Sequence, residues 1–206
     1  MSSLNSVEQM PDRFTIVRTV LAGVLVAWAA AVAVLAARGF FVGLPVPGMA
    51  LFVLGGIVLP TIAYATIPRL RAYIDRLGLR PLTALHVWRM PAALAFFAYG
   101  AAGALPPTFW LLAGGGDLIA GLYAARALLP GADRAFYWRF HLFGFADFLV
   151  AVGTGIIYSV VLRDPRMEAI AVMPLALIPL FGVGISGASH LVAFHMLAQG
   201  KALGAP

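Results

Sequence analysis

Residues 19–37, 39–68, 90–116 and 169–200 contain no Asp, Glu, Lys or Arg. A helix needs about 20 apolar residues to cross the hydrocarbon core of a bilayer, so runs of this length predict membrane spans. Divided at prolines, glycines and charges, the pattern predicts six, over 15–37, 47–67, 83–105, 108–129, 138–162 and 170–199. Pro106 and Pro107 set a tight turn between the third and fourth spans, because proline cannot continue a helix. Leu129, Pro130 and Gly131 end the fourth. The sixth span holds Pro174 and Pro179, which predicts a kink or a start outside the hydrocarbon. The expected fold is therefore all-α, a polytopic bundle of six transmembrane helices between an N-terminal segment (1–14) and a short tail (200–206).

Composition agrees. The chain is 62% hydrophobic and 11% charged, with a mean hydropathy of +0.95, whereas soluble domains carry about 25% charged residues. The opening MSSLNSVEQMPDRFTIVR is polar and partly acidic, and the run behind it exceeds the 7–15 residues of a signal-peptide core. A retained first span is the expectation.

The net charge of +6 sits between the apolar runs. With the N-terminus inside, ten basic residues fall on the cytoplasmic side (Arg13, Arg18, Arg69, Arg71, Arg76, Arg80, Arg126, Arg134, Arg139, Lys201). Three, Arg38, Arg163 and Arg166, fall outside. The positive-inside rule then puts both termini in the cytoplasm. No basic stretch has the aromatic interleaving or module signature of a nucleic-acid binder, so the expected partner is the lipid bilayer, together with further copies of the chain in a homo-oligomer. Cysteine is absent, which excludes disulfides, thiolate metal sites and Cys nucleophiles. Thirteen arginines to one lysine amid abundant Ala, Gly and Leu fit a GC-rich bacterial genome, and hence the inner (plasma) membrane.

The longest basic connection, RLRAYIDRLGLRPL (69–82), places Leu70, Tyr73, Ile74 and Leu77 at helical spacing. Arg69, Arg71, Arg76 and Arg80 read as a basic loop facing anionic headgroups beside a short interfacial helix.

Three ionised residues lie well inside predicted spans, away from their ends: Arg89, Asp117 and Asp147. A charge at a helix centre costs about 2.5–3.5 kcal/mol on insertion scales, so such residues face the bundle interior and find partners. At about 1.5 Å per residue, Arg89, Asp147 and His190 come to similar depths, with Asp117 near the midplane. Small residues share their faces: Gly114 and Gly121 with Asp117, Gly144 with Asp147, Gly182 and Ser186 with His190. Arg89, Asp117, Asp147 and His190 thus form the expected polar centre, opening toward the cytoplasm. A purely architectural Arg–Asp network is the competing reading.

A second set, His86, His141 and His195, lies near the predicted cytoplasmic boundary on three spans. Three imidazoles at one level suit a metal ion, and His86 with His190 or His195 suits haem b. No Glu or Asp shares that level and no HExxH spacing occurs. His190 and His195, five residues apart, point about 140° apart around a straight helix and do not meet at one ion.

The segments HVWRMPAALAFF, LPPTFWLLAGGGDLIAGLYA, FHLFGFADFLVAVGTG and MPLALIPLFGVGISGASHLVAFH resemble a family of small bacterial integral membrane proteins. In that family an Arg early in one span, a G-x-G-D span, a G-x-x-D span and a closing Pro-rich span ending in His recur. The likeness covers residues 83–198. It implies that Arg89, Asp117, Asp147 and His190 belong to the family pattern, and it implies no activity. The leading expectation is an inner-membrane protein that binds or conducts a small polar solute or protons. The alternatives are a haem- or metal-binding membrane oxidoreductase or its anchor, and a non-catalytic assembly subunit.

Overall fold

A computed structural model describes residues 13–201. Its eight helices are α1 (Arg13–Ala37), α2 (Val46–Thr66), α3 (Pro68–Leu77), α4 (Leu79–Ala84), α5 (Arg89–Ala101), α6 (Pro107–Ala125), α7 (Arg134–Ile156) and α8 (Val183–Ala198). The described residues contain no strand. Most of the expected N-terminal segment (1–12) and of the tail (202–206) lies outside the described residues.

Among the described residues, five helical stretches are long and apolar enough to cross a membrane: Phe14–Ala37, Gly48–Thr66, Pro107–Leu128, Arg134–Val161 and Ile178–Ala198. They fall on the first, second, fourth, fifth and sixth expected spans. The third expected span is built differently. The chain turns through α4 and a 3₁₀ segment, Leu85–Trp88, and then starts α5, which has only 13 residues. Pro91 accounts for the break. Its ring would clash with the carbonyl of Val87 and it has no N–H to donate, so it fits only in the first turn of a new helix. The sixth span begins at Ile178 rather than near 170, and its first turn is a wide π-type one, Ile178–Gly182. Residues 165–171 form instead a short 3₁₀ segment capped by Asp164, which accepts the Arg166 N–H at 3.0 Å. The Arg166 side chain folds onto the same carboxyl and holds it below the ordinary carboxylate range.

The axis of the bundle is α8. Of its most apolar stretch 67% is buried, against 11% for α1. Helices α2 and α7 pack on α8, and the α5–α6 hairpin, turned by Pro106 and Pro107, packs on α7. Glycine permits the α2–α8 approach. A Cβ on Gly184 would lie 3.0 Å from the Gly56 backbone and 2.6 Å from the Trp28 ring of α1. Around this core Val20, Val24, Leu51, Leu59, Leu122, Leu149 and Val161 are exposed. Soluble monomers rarely expose apolar surface on this scale, so the outside of the bundle suits lipid.

One end of the bundle gathers the basic residues. Phe14, at the start of α1, lies under Arg76 of α3, and Lys201, past the end of α8, pairs with Asp75 of α3. Both ends of the described chain therefore meet at α3. Here Arg80 donates to the Ala127 and Leu128 carbonyls beyond α6, at 3.0 and 2.7 Å. Arg134 donates to the Leu197 carbonyl in the last turn of α8 at 2.9 Å and to the Lys201 carbonyl beyond it at 2.7 Å. Guanidinium groups thus satisfy carbonyls that a helix C-terminus leaves free and oppose its negative dipole end.

Close packing at Gly184 predicts that Gly184→Ala costs about 1–3 kcal/mol, the usual penalty for overfilling a packed contact. Gly23→Ala, where a Cβ meets nothing within 4 Å, should leave stability unchanged. Thermal unfolding in detergent compares the two.

Candidate functional site

Arg89 opens α5 and is buried, with 4% of its surface exposed. Its Nε donates to Asp117 Oδ1 on α6 at 2.6 Å, and its Nη2 donates to Asp147 Oδ2 on α7. One guanidinium therefore joins three helices. Its third nitrogen, Nη1, has no partner.

Glycines clear the space for this contact. A Cβ on Gly116 would collide with the Asp147 carboxylate, and one on Gly121 would lie 2.9 Å from the backbone nitrogen of Met90, beside Arg89. A Cβ on Gly144 would lie 2.6–2.9 Å from the His190 ring and 3.4 Å from Arg89 Nη1. Gly144 is thus the junction between the Arg–Asp centre and a second polar layer.

That second layer consists of His86, His141 and His190, each fully buried. Nδ1 of His141 and Nδ1 of His190 are 2.8 Å apart, so one donates to the other. His141 Nε2 meets the buried Thr83 hydroxyl at 3.0 Å. The Ser189 hydroxyl donates to the Ser186 carbonyl at 2.9 Å. With its proton on the Ser186 carbonyl, Ser189 accepts from His86 Nε2, 2.7 Å away. His86 is accordingly the Nε2–H tautomer with a free lone pair on Nδ1. Both His86 Nδ1 and His190 Nε2 are buried without partners, and one nitrogen from each of the three rings lies within 4.8 Å of the others.

Three expectations change here. The histidine set is His86, His141 and His190, not His86, His141 and His195. His195 lies on another face of α8, where its Nε2 meets Arg71 Nη2 at 3.0 Å and its ring meets Tyr64 edge-on. The angle of about 140° between His190 and His195 sends only the first into the core. Haem does not fit between His86 and His190, because their ring centroids are 4.2 Å apart and a macrocycle has no room between them. The basic loop also divides. Arg69 and Arg76 are exposed, whereas Arg71 turns to His195 and Arg80 to the end of α6.

A cavity of about 240 Å³ begins at Arg89, Asp117, Ser186 and His190. Phe96, Phe109, Ala113, Phe148, Ala151 and Val183 wall it, and it runs toward Met49, Ser159 and Ile170. Those residues lie at the end of the bundle opposite α3. The expectation of an opening on the basic side is thus reversed: the buried His layer and Phe140 fill that side.

Several working residues carried no clear sequence signal: Thr83, Trp88 (whose Nε1 donates to Ser186 Oγ at 3.0 Å), Ser189 and Gly116. Asp75 had one, as the single acid in the basic segment 69–82. It accepts from the Tyr64 hydroxyl at 2.8 Å and pairs with Lys201.

Residues 46–198 match the model of a family described as a domain of unknown function, DUF8737. The chain belongs to that family. No curated protein and no solved structure was found to match. The DUF8737 region takes in α2–α8, and with them every residue of the Arg–Asp centre, the histidine layer and the cavity, while α1 packs from outside it.

Removing one member of a buried ion cluster leaves the others uncompensated, at a cost of about 3–5 kcal/mol. Arg89→Met should destabilise the protein by that order. Adding Asp117→Asn and Asp147→Asn to Arg89→Met should recover most of the loss, as read by thermal unfolding in detergent.

Proposed function

We propose that this protein spans the inner membrane of a bacterium six times and exchanges a proton for a small, largely apolar molecule carrying a cationic group. In this reading 79–101 is the third crossing, composite because of its 3₁₀ turn, and residues 15–199 form one transmembrane domain. Both termini face the cytoplasm, in accord with the basic residues gathered at the α3 end. The cavity then opens from the centre toward the other side of the membrane.

The observation that carries the reading is the cavity's composition. Its wall is apolar and its inner end is Arg89, Asp117, Ser186 and His190. A volume of about 240 Å³ is below the roughly 300–1,000 Å³ of drug-sized pockets, which favours a small ligand. An apolar wall offers little to a fully polar solute, since desolvated polar groups need partners.

Charge selects the ligand's head group. Two carboxylates face one guanidinium, and two of the three guanidinium nitrogens are already committed to them. Arg89 is thus occupied as an anion binder, and the trio with both acids ionised has one negative charge to spare. Burying an unbalanced charge is costly, so the trio draws in either a proton or a cationic group. Occupancy by one opposes occupancy by the other, which is the requirement for exchange. Asp147 and Asp117 are the carriers, Arg89 positions both, and His190 adjoins Arg89 at Gly144.

Benzyltrimethylammonium is a suitable probe. In proteoliposomes loaded with a pH-sensitive dye, a gradient of it should drive proton movement through the wild type, and Asp147→Asn should slow that movement at least about tenfold, the loss expected from about 1.4 kcal/mol. Wild-type vesicles indistinguishable from protein-free ones, with the variants altered only in thermal stability, would mean that the centre is architectural.

A further inference from the structure

The histidine layer backs the inner end of the cavity, which His190 alone of the three lines, and it carries no proton or ligand in the exchange just described. Three imidazoles without a carboxylate among them occupy a fully buried position. Buried polar atoms in folded proteins are nearly all hydrogen-bonded, yet His86 Nδ1 and His190 Nε2 are not. With Ser189 donating to the Ser186 carbonyl, His86 is the Nε2–H tautomer. Its Nδ1 therefore presents a lone pair to the interior, where it has nothing to accept. In known metal sites a ligating His commonly donates its other ring N–H to an oxygen, which orients the free nitrogen toward the ion. His86 has that arrangement through Ser189. His141 is oriented in the same way by Thr83, at 3.0 Å from its Nε2, leaving Nδ1 turned to His190.

We propose that His86, His141 and His190 bind one imidazole-seeking transition-metal ion, Zn²⁺ or Cu⁺. Neutral imidazole suits both metals, and the chain offers no cysteine to draw either elsewhere. Zn–N bonds of about 2.0–2.1 Å set ligand nitrogens roughly 3.5 Å apart. The three nitrogens, now within 4.8 Å of one another, reach that spacing by small ring rotations, with the ion replacing the proton shared by His141 and His190. Nearby Arg89 would oppose a cation on its own, but Asp117 and Asp147 together outweigh it. Entry is through the cavity, which reaches His190. The metal's ligands are the three imidazoles, whereas the exchange rests on Asp117 and Asp147, so either idea can fail alone.

The test uses full-length protein in detergent, stripped with chelator, dialysed separately against Zn²⁺ or Cu⁺ and assayed by elemental analysis, with no cavity ligand present. The wild type should retain about one ion per chain, the stoichiometry of a three-histidine site. His86→Gln and His190→Gln should each lower the affinity at least about tenfold, the lower bound seen even for perturbations outside the ligand set. His195→Ala should bind like the wild type. X-ray absorption of the loaded wild type should show three imidazole nitrogens, a readout that survives if a histidine variant does not fold. Wild-type retention no better than that of a His86→Gln/His141→Gln double variant, or a metal spectrum lacking imidazole, would overturn the proposal.

Discussion

One guanidinium held between two carboxylates organises this bundle. Arg89 is almost wholly removed from solvent, where a lone charge would be far too costly to keep. It is tolerable only because Asp117 and Asp147 reach it from α6 and α7. That demand fixes how near three helices must come, and glycine supplies the clearance: Gly116 for the Asp147 carboxylate, Gly121 for the start of α5, and Gly144 for Arg89 and His190 together. The short α5 follows from the same demand. Ending the 3₁₀ segment at Trp88 places Arg89 at the head of a helix, close to both acids.

Two different environments then meet at Gly144. Toward α3 the interior is filled by aromatic rings and the three histidines, closed by Thr83, Phe140 and Ser189. Toward the far end it is a cavity walled by Phe96, Phe109, Phe148 and small residues. The cavity meets the polar groups between them from the far end. This asymmetry leaves His190 at the boundary of the cavity, with His86 and His141 behind it. It also explains why the basic end has its own separate network, in which Asp75 binds Tyr64 and Lys201, and Arg71 binds His195.

Much of this was legible in the chain. Uncharged runs of sufficient length marked the helices, and their boundaries moved by only a few residues in four of the five that qualify as spans. Arg89, Asp117 and Asp147 stood out because ionised residues in apolar runs must find one another. Hydropathy is blind to the steric effect of Pro91, so the break within the third expected span carried no hydropathy signal, whereas Pro174 and Pro179 already marked the sixth for a kink or a later start, which comes at Ile178. Gly116 was overlooked: Gly114 and Gly121 share a face with Asp117, but the glycine that matters to Asp147 lies on a different face and serves a residue of another helix.

The sequence by itself determined an all-helical, lipid-suited chain with an arginine and two aspartates that had to be buried together. Those properties are local, since composition and run length state the solvent each segment prefers, and charge states which residues cannot be left alone there. Only the tertiary structure decided that His190 rather than His195 joins His86 and His141, that Arg71 and Arg80 turn into the protein, and that the cavity opens away from the basic end. Periodicity reports which residues share a face of one helix. It does not report how neighbouring helices are rotated and staggered against that face, and each of these outcomes depends on that rotation.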